Sequence, residues 1–162
     1  MRKSPTGRSI VDQFSVSMAD AAAKKQNTTR MSHDPSHGTQ ISFSATDGRA
    51  FLWYPGNAVV LQGTWRACED RFGFTVKGAE TTTIPFGKLC FKYGPTTFNP
   101  ATGSRGDEWE CAAASTFDAK LVEQRAGDVF GLAKRTAVPF VLTREKSTFG
   151  QLLARMPKNG KS

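Results

Sequence analysis

Three cysteines, Cys68, Cys90 and Cys111, are the side chains of this chain best suited to covalent chemistry. Cys90 and Cys111 bracket the turn-rich stretch GPTTFNPATGSRG, residues 94 to 106. If Tyr93 faces Glu108 across it, paired residue numbers sum to 201 and Cys90 falls directly opposite Cys111. Cβ atoms in such a pair lie ~4.5 to 5.5 Å apart, so a disulfide needs little adjustment. The bridge would close about twenty residues, worth ~3 kcal/mol in the chain-entropy model. The same register sets Glu108 and Glu110 beside Leu89, Phe91 and Tyr93, a poor inner face. Two reduced, buried thiols in a cytosolic protein are the competing reading. Cys68 is left over as a free thiol beside Arg66 and Arg71, whose charges favour a thiolate, although nothing else there supports a nucleophile.

The remaining chemistry-bearing motifs are weak. His33 and His37 form His-Asp-Pro-Ser-His, but Pro35 prevents the one-face helical geometry of an i, i+4 metal pair, and no third ligand is apparent. No metal or cofactor is therefore expected. Arg105-Gly106-Asp107 reads as a charged turn, and Asn27-Thr28-Thr29 matters as a glycosylation acceptor only in a eukaryotic secretory pathway. There is no phosphate-cradling glycine loop, zinc-type cysteine spacing or serine elbow. Both histidines fall in a segment expected to be a tail, which excludes a His-based triad in the folded part. Glu69 with Asp70, and Glu108 with Glu110, read as solvated carboxylates, so an enzyme is disfavoured.

Aromatic residues supply the binding candidates. Phe51 and Trp53 lie on the expected outer face of a hairpin, where such rings stack on bases or sugars or anchor a partner. The alternative, favoured because paired exposed aromatics are uncommon on monomers, is that a C-terminal helix with Phe149, Leu152 and Leu153 covers them. Phe51, Trp53, Tyr54, Asn57, Arg66 and Arg71 are the candidate binding residues, with the Trp53–Asn57 and Pro95–Arg105 loops presented to a partner.

These residues need strands to hold them. Ile41, Phe43 and Ala45 alternate with serines, and Asp47-Gly48 signals a hairpin. A two-residue loop there pairs 43 with 52 and 41 with 54, leaving Ser42, Ser44, Phe51 and Trp53 on the other face. Ala58 to Gln62 reads as a short strand. A second hairpin turns at Glu69-Asp70, pairing 65 with 74, with Arg66, Cys68, Arg71 and Gly73 opposite the aromatic face. Phe86 to Tyr93 is another strand. Ser115 to Ala126 reads as a helix stopped by Gly127, Val138 to Thr143 as a last strand, and Ser147 as the cap of a helix with Phe149, Leu152, Leu153 and Met156 in one stripe. The fold class is mainly β, or α+β: a small antiparallel barrel or sandwich with short C-terminal helices.

Residues 1 to 38 are rich in Ser, Thr, Lys, Arg and Asn and too poor in apolar side chains to offset their ordering entropy, so a mobile basic tail is expected. Ile10 to Lys25 has helical spacing but needs a partner. A single β-rich domain follows over 39 to 157, and 158 to 162 is a disordered end. With 162 residues, 38% hydrophobic and 22% charged, the chain suits one domain plus a tail. It has no run of ~20 apolar residues, so no membrane span is expected. The formal charge of +8 favours an acidic partner, an anionic ligand or nucleic acid without choosing among them. Met1-Arg2-Lys3 has no apolar run behind it, so it is not a signal peptide as written. Either the protein is cytosolic or its natural start differs.

Phe51-Leu52-Trp53-Tyr54-Pro55-Gly56-Asn57, Gly63-Thr64-Trp65, Leu89-Cys90-Phe91-Lys92-Tyr93, Asn99-Pro100-Ala101-Thr102-Gly103 and Trp109-Glu110-Cys111 together resemble a family of small uncharacterised alphaproteobacterial proteins. The resemblance spans about residues 40 to 143. It implies an exported, periplasmic or secreted β-domain carrying a disulfide between the two later cysteines, and no catalytic residue. The missing leader and the extra Cys68 depart from that pattern. The expected role is a non-catalytic binding module for an unknown protein or anionic ligand. The alternative is a cytosolic single-stranded nucleic-acid binder that stacks bases on Phe51 and Trp53 and holds phosphates with Arg66, Arg71 and Lys77.

Overall fold

The turn after the second strand decides which side chains become core. β2 (Gly38–Ser44) and β3 (Arg49–Trp53) pair as Ile41 with Trp53 and Phe43 with Phe51. The Ala45 N–H donates to the Arg49 carbonyl at 2.9 Å and the Gly48 N–H to the Ala45 carbonyl at 3.2 Å. Gly48 has φ +90, the left-handed conformation glycine takes without strain. The loop is therefore three residues long rather than two, the commoner partner of a type I turn. A one-residue slip turns every side chain of the second strand over. Phe51 and Trp53, expected on the outer face, instead join Ile41 and Phe43 on the core face.

The structure, a computed structural model, describes residues 16–75, 77–94, 98, 99, 104, 105 and 108–157. The expected disordered end over 158–162, Gly106-Asp107, the first 15 residues of the expected tail and much of the Pro95–Arg105 loop lie outside them. The expected mainly β, antiparallel architecture is present as a seven-stranded half-barrel. Its order is β8 (Glu110–Ala113), β5 (Thr81–Lys92), β4 (Leu61–Thr75), β3, β2, β1 (Thr28–Asp34) and β9 (Leu121–Ala126). β6 (Phe98–Asn99) and β7 (Ser104–Arg105) form a separate two-stranded ribbon.

Four expectations are corrected. Residues 16 to 38 are not tail: α1 (Met18–Lys25) and β1 belong to the body, and Met31 is fully buried between β2 and β9. Few apolar residues suffice there because β1 pairs on both edges, so the ladder satisfies its backbone. α1 finds its partner in the sheet. Ser17 Oγ accepts from the Asp20 N–H at 3.1 Å, and the Gly87 N–H of β5 donates to the Val16 carbonyl at 2.6 Å.

The second correction concerns the turn at Glu69-Asp70. β4 runs straight through it, pairing Arg66 with Cys90 and Cys68 with Lys88, and the chain reverses at Lys77-Gly78, where Gly78 has φ +83. Neither Glu69 nor Asp70 takes a positive φ cheaply, whereas Gly78 does. Third, the helix over 115 to 126 stops early. α2 covers Ala114–Ala119, and Leu121–Ala126 becomes β9 on the free edge of β1, a tertiary pairing that overrides local helical spacing. Fourth, Val138 to Thr143 is no strand. Pro139 has no N–H to donate; the one bridge, Ala137 with Val59, lies just before the segment, which keeps single backbone bonds from the Val138 N–H to the Ala58 carbonyl and from the Gly56 N–H to the Leu142 carbonyl. The helix after Ser147 is present as α3 (Phe149–Arg155), capped by Thr148, whose side chain accepts from the Gln151 N–H.

Two cores lie on the two faces of the sheet. Met31, Ile41, Phe43, Phe51 and Trp53 are covered by the chain after β9, including Phe130, Leu132, Leu142, Phe149 and Leu152. Trp53 packs edge-on to Phe130 at 5.3 Å and Phe140 at 5.0 Å, and its Nε1 donates to the Phe140 carbonyl at 3.0 Å. Ala50, Trp65 and Leu89 face the other way, under Ala21 of α1 and Ala114 of α2.

Candidate functional site

Alternation along β4, β5 and β8 brings the three sulfurs together on one face. Arg66 pairs with Cys90, Cys68 with Lys88, and Cys90 with Cys111, which is the 201 register read from the sequence. Cys90 and Cys111 are bridged, and Cys68 is a free thiol whose Sγ lies 3.1 Å from that of Cys90. All three sulfurs lie within 4.8 Å of one another, with Cys90 buried, Cys68 half-buried and Cys111 exposed. Such a set could hold a soft metal only with the bridge reduced, since a metal takes thiolates.

Basic and aromatic side chains border the sulfurs. The Arg66 guanidinium stacks over the half-buried Trp109 ring at 4.2 Å, and Lys92 Nζ approaches the same ring at 5.9 Å. Lys88 Nζ pairs with Asp70 at 2.9 Å, and that lysine, first by its hydrogen bond, holds the Asp70 carboxyl below the usual range. Sequence reasoning missed Trp109, Lys88 and Lys92. Their signal was parity: once β4 and β5 are one long hairpin, 66, 68, 88, 90 and 92 share a face, and 109 and 111 join them across β8. The expected turn at 69 and 70 hid that adjacency.

The other candidates disperse. Phe51 and Trp53 are 2% and 0% exposed, so neither offers a surface for stacking. Tyr54 and Asn57 are half-buried in a turn closed by the Asn57 N–H donating to the Tyr54 carbonyl, with the Gly56 N–H held by the Leu142 carbonyl. That turn follows the last residue of β3, whereas the first, Arg49, pairs with Thr64, and Arg66 lies two residues beyond that pair on β4. Arg71 sits one residue out of step with Arg66 and donates to Thr83 Oγ1 at 3.1 Å. The six candidates do not form one patch.

The histidines are in the body rather than a tail. His33 Nδ1 meets Thr39 Oγ1 at 3.1 Å, and Asp34 accepts from the Ser36 and His37 N–H groups at 2.8 Å each, closing the β1–β2 turn. Burial raises the Asp34 carboxyl, but His37 and Lys120 outweigh it and hold it below the usual range.

A second polar cluster lies under α1. Lys25 is 3% exposed, with its Nζ over the Phe91 ring at 4.9 Å, and Arg30 is paired with Asp118 at 2.6 Å. Burial, reinforced by the charge of Arg30 and offset by Asp118, pushes the Lys25 amine down to about 7. Burial, and then Glu110, pushes the Tyr93 hydroxyl up. These groups pack against side chains rather than a cleft. A cavity of about 220 Å³ lies elsewhere, lined by Leu142, Lys146, Gln151 and Arg155. It falls below the ~300 to 1,000 Å³ of ordinary small-molecule pockets. Among the described residues no helix is long and apolar enough to cross a membrane. No family model, curated protein or solved structure matches this chain.

Proposed function

We propose that the protein is a non-catalytic binding module of an oxidising compartment, periplasmic or secreted, that takes an anionic partner on the open face of β4, β5 and β8. The observation that carries this reading is Trp109 flanked by Arg66 and Lys92 beside the sulfurs. A rigid ring bordered by cations on a sheet face offers stacking area and charge at little entropy cost. The formal charge of +8 adds long-range attraction for anions, and a bridged cysteine pair suits an oxidising compartment. The nucleic-acid reading loses the Phe51 and Trp53 platform it was built on, because both rings are core.

Tryptophan emission tests it. Trp53 and Trp65 are buried and hydrogen-bonded, so Trp109 is the ring most open to a ligand. Titration with heparin should change the emission at low salt, less so at high salt, and the response should vanish in Arg66→Glu with Lys92→Glu while surviving Arg71→Glu. An unchanged response in the double variant would remove the proposed face. A single-stranded oligodeoxythymidylate in place of heparin decides whether the anion is a nucleic acid.

A further inference from the structure

The three sulfurs support an activity that the binding role does not need. We propose that they form a thiol–disulfide exchange centre, which passes the free thiol from Cys68 to the exposed Cys111 and so makes Cys111 a site of mixed-disulfide formation.

The reaction is set by position. Cys90 is fully buried, so an external thiol has no open path to its sulfur, whereas Cys68 Sγ is already 3.1 Å away. Cys68 gives its proton to solvent, and its electron pair forms a bond to Cys90 Sγ. The Cys90–Cys111 bond breaks, its pair leaves on Cys111 Sγ, and that sulfur takes a proton from solvent. One thiol and one disulfide stand on each side, so no oxidant or reductant is consumed. Closing the gap from 3.1 Å to the ~2.05 Å of a bond requires about 1 Å of sulfur travel. Lys88 lies directly across from Cys68 and Arg66 directly across from Cys90, so negative charge moves along a strip already bordered by cations.

Topology selects the product. Attack on Cys111 would tie β4 to β8, which lie on opposite sides of β5. Two strand spacings are ~9.5 Å, beyond the ~7 Å that a disulfide spans between Cα atoms. Attack on Cys90 joins a diagonal pair, whose span of ~7 to 8 Å lies at the edge of that limit and needs a small shift of β4 toward β5. The Cys90–Cys111 bridge is therefore the major form, and the exposed Cys111 thiolate is a minor form that a disulfide of small thiols traps. With oxidised glutathione, Cys111 bonds to one glutathione sulfur and the other glutathione leaves as a thiolate.

The test uses the full oxidised chain. It is held at pH 8 with oxidised glutathione, quenched with acid and mapped without reductant. The expected result is a glutathione adduct on Cys111 that grows in step with a Cys68–Cys90 linked peptide, and its loss in Cys68→Ser. Adducts on Cys68 alone with Cys90–Cys111 intact would overturn the proposal, as would a Cys111 adduct persisting in Cys68→Ser. Independently, Cys111→Ser held with oxidised glutathione should lose both free thiols, because Cys68 and Cys90 bridge through a mixed disulfide while one oxidised glutathione is reduced to two glutathione thiols. Two titratable thiols in that variant would count against the centre, and if the variant fails to fold the time course on the unmodified chain still decides.

Discussion

The hairpins of β1, β2 and β3 and the long ribbon of β4 and β5 follow the same alternation but meet different cover. In the first region both faces are closed: Phe51 and Trp53 lie under the C-terminal chain, and Ala50 under α1 and α2. In the second, helices cover the Trp65, Leu89 and Phe91 side, and the other, with no helix over it, carries Arg66, Cys68, Lys88 and Lys92 around the buried Phe86 and Cys90. An aromatic on a strand thus reveals its role only once the element that covers its face is known. The closed region is held by burial, and the open one depends on a covalent link and on contacts between side chains at its surface.

Truncating the centre of the closed region should have the largest effect. Trp53→Ala removes a fully buried ring packed on Phe130 and Phe140 and should cost about 3 to 5 kcal/mol in urea unfolding. A loss under about 1 kcal/mol would mean that the C-terminal cover is not closed over the sheet. The open region should answer instead to its bridge. Replacing Cys90 and Cys111 together by Ala frees a loop with a sequence separation of 21 and should cost ~3 kcal/mol. An unchanged midpoint would erase the distinction between the two regions.

What the sequence disclosed follows the same division. The pairing of Cys90 with Cys111 was legible because turn-rich residues fix one simple register between them. Alternation likewise revealed a mainly β fold, and helical spacing the Phe149–Leu152 stripe. The faces of Phe51 and Trp53 were not legible, since a loop of two or three residues around Asp47-Gly48 reads alike and only one length buries them. β1 was hidden because Thr29 and Arg30, polar yet buried, are satisfied by Gly127 and Asp118, about a hundred residues away in the first case and 88 in the second. Trp109 was overlooked because its neighbours Arg66 and Lys92 become neighbours only when β4 runs unbroken past Asp70.

Lys25 gives a smaller effect with a definite sign. Its folded-state value of about 7 lies below the ~10.4 of an unfolded lysine. Below pH 7 both states are charged and the fold carries the whole cost of burying the ion; above about 10.4 both are neutral and the cost is gone. Between these limits the unfolded chain holds a proton that the folded one lacks, so this group makes stability rise with pH, by at most ~1.4 kcal/mol per unit. Urea midpoints from pH 7 to 9 should show that rise, and Lys25→Met should flatten it while raising the value at pH 7. A slope that survives the substitution would place its origin in another group.

The smallest effect separates the two faces of the ribbon itself. Arg66 stacks on Trp109 at 4.2 Å, whereas Arg71 reaches Thr83. A cation over a ring still partly open to solvent contributes ~0.5 to 1 kcal/mol, partly offset by the cost of holding a long side chain in place. Arg66→Ala combined with Trp109→Ala in a double-mutant cycle should therefore show coupling of that size, and Arg71→Ala with Trp109→Ala should be additive within about 0.3 to 0.5 kcal/mol. Equal coupling of Trp109 to both arginines would mean that alternation fails along β4. Because the placement of the three sulfurs rests on that same alternation, this small energy is also an independent measure of whether the exchange centre is assembled as described.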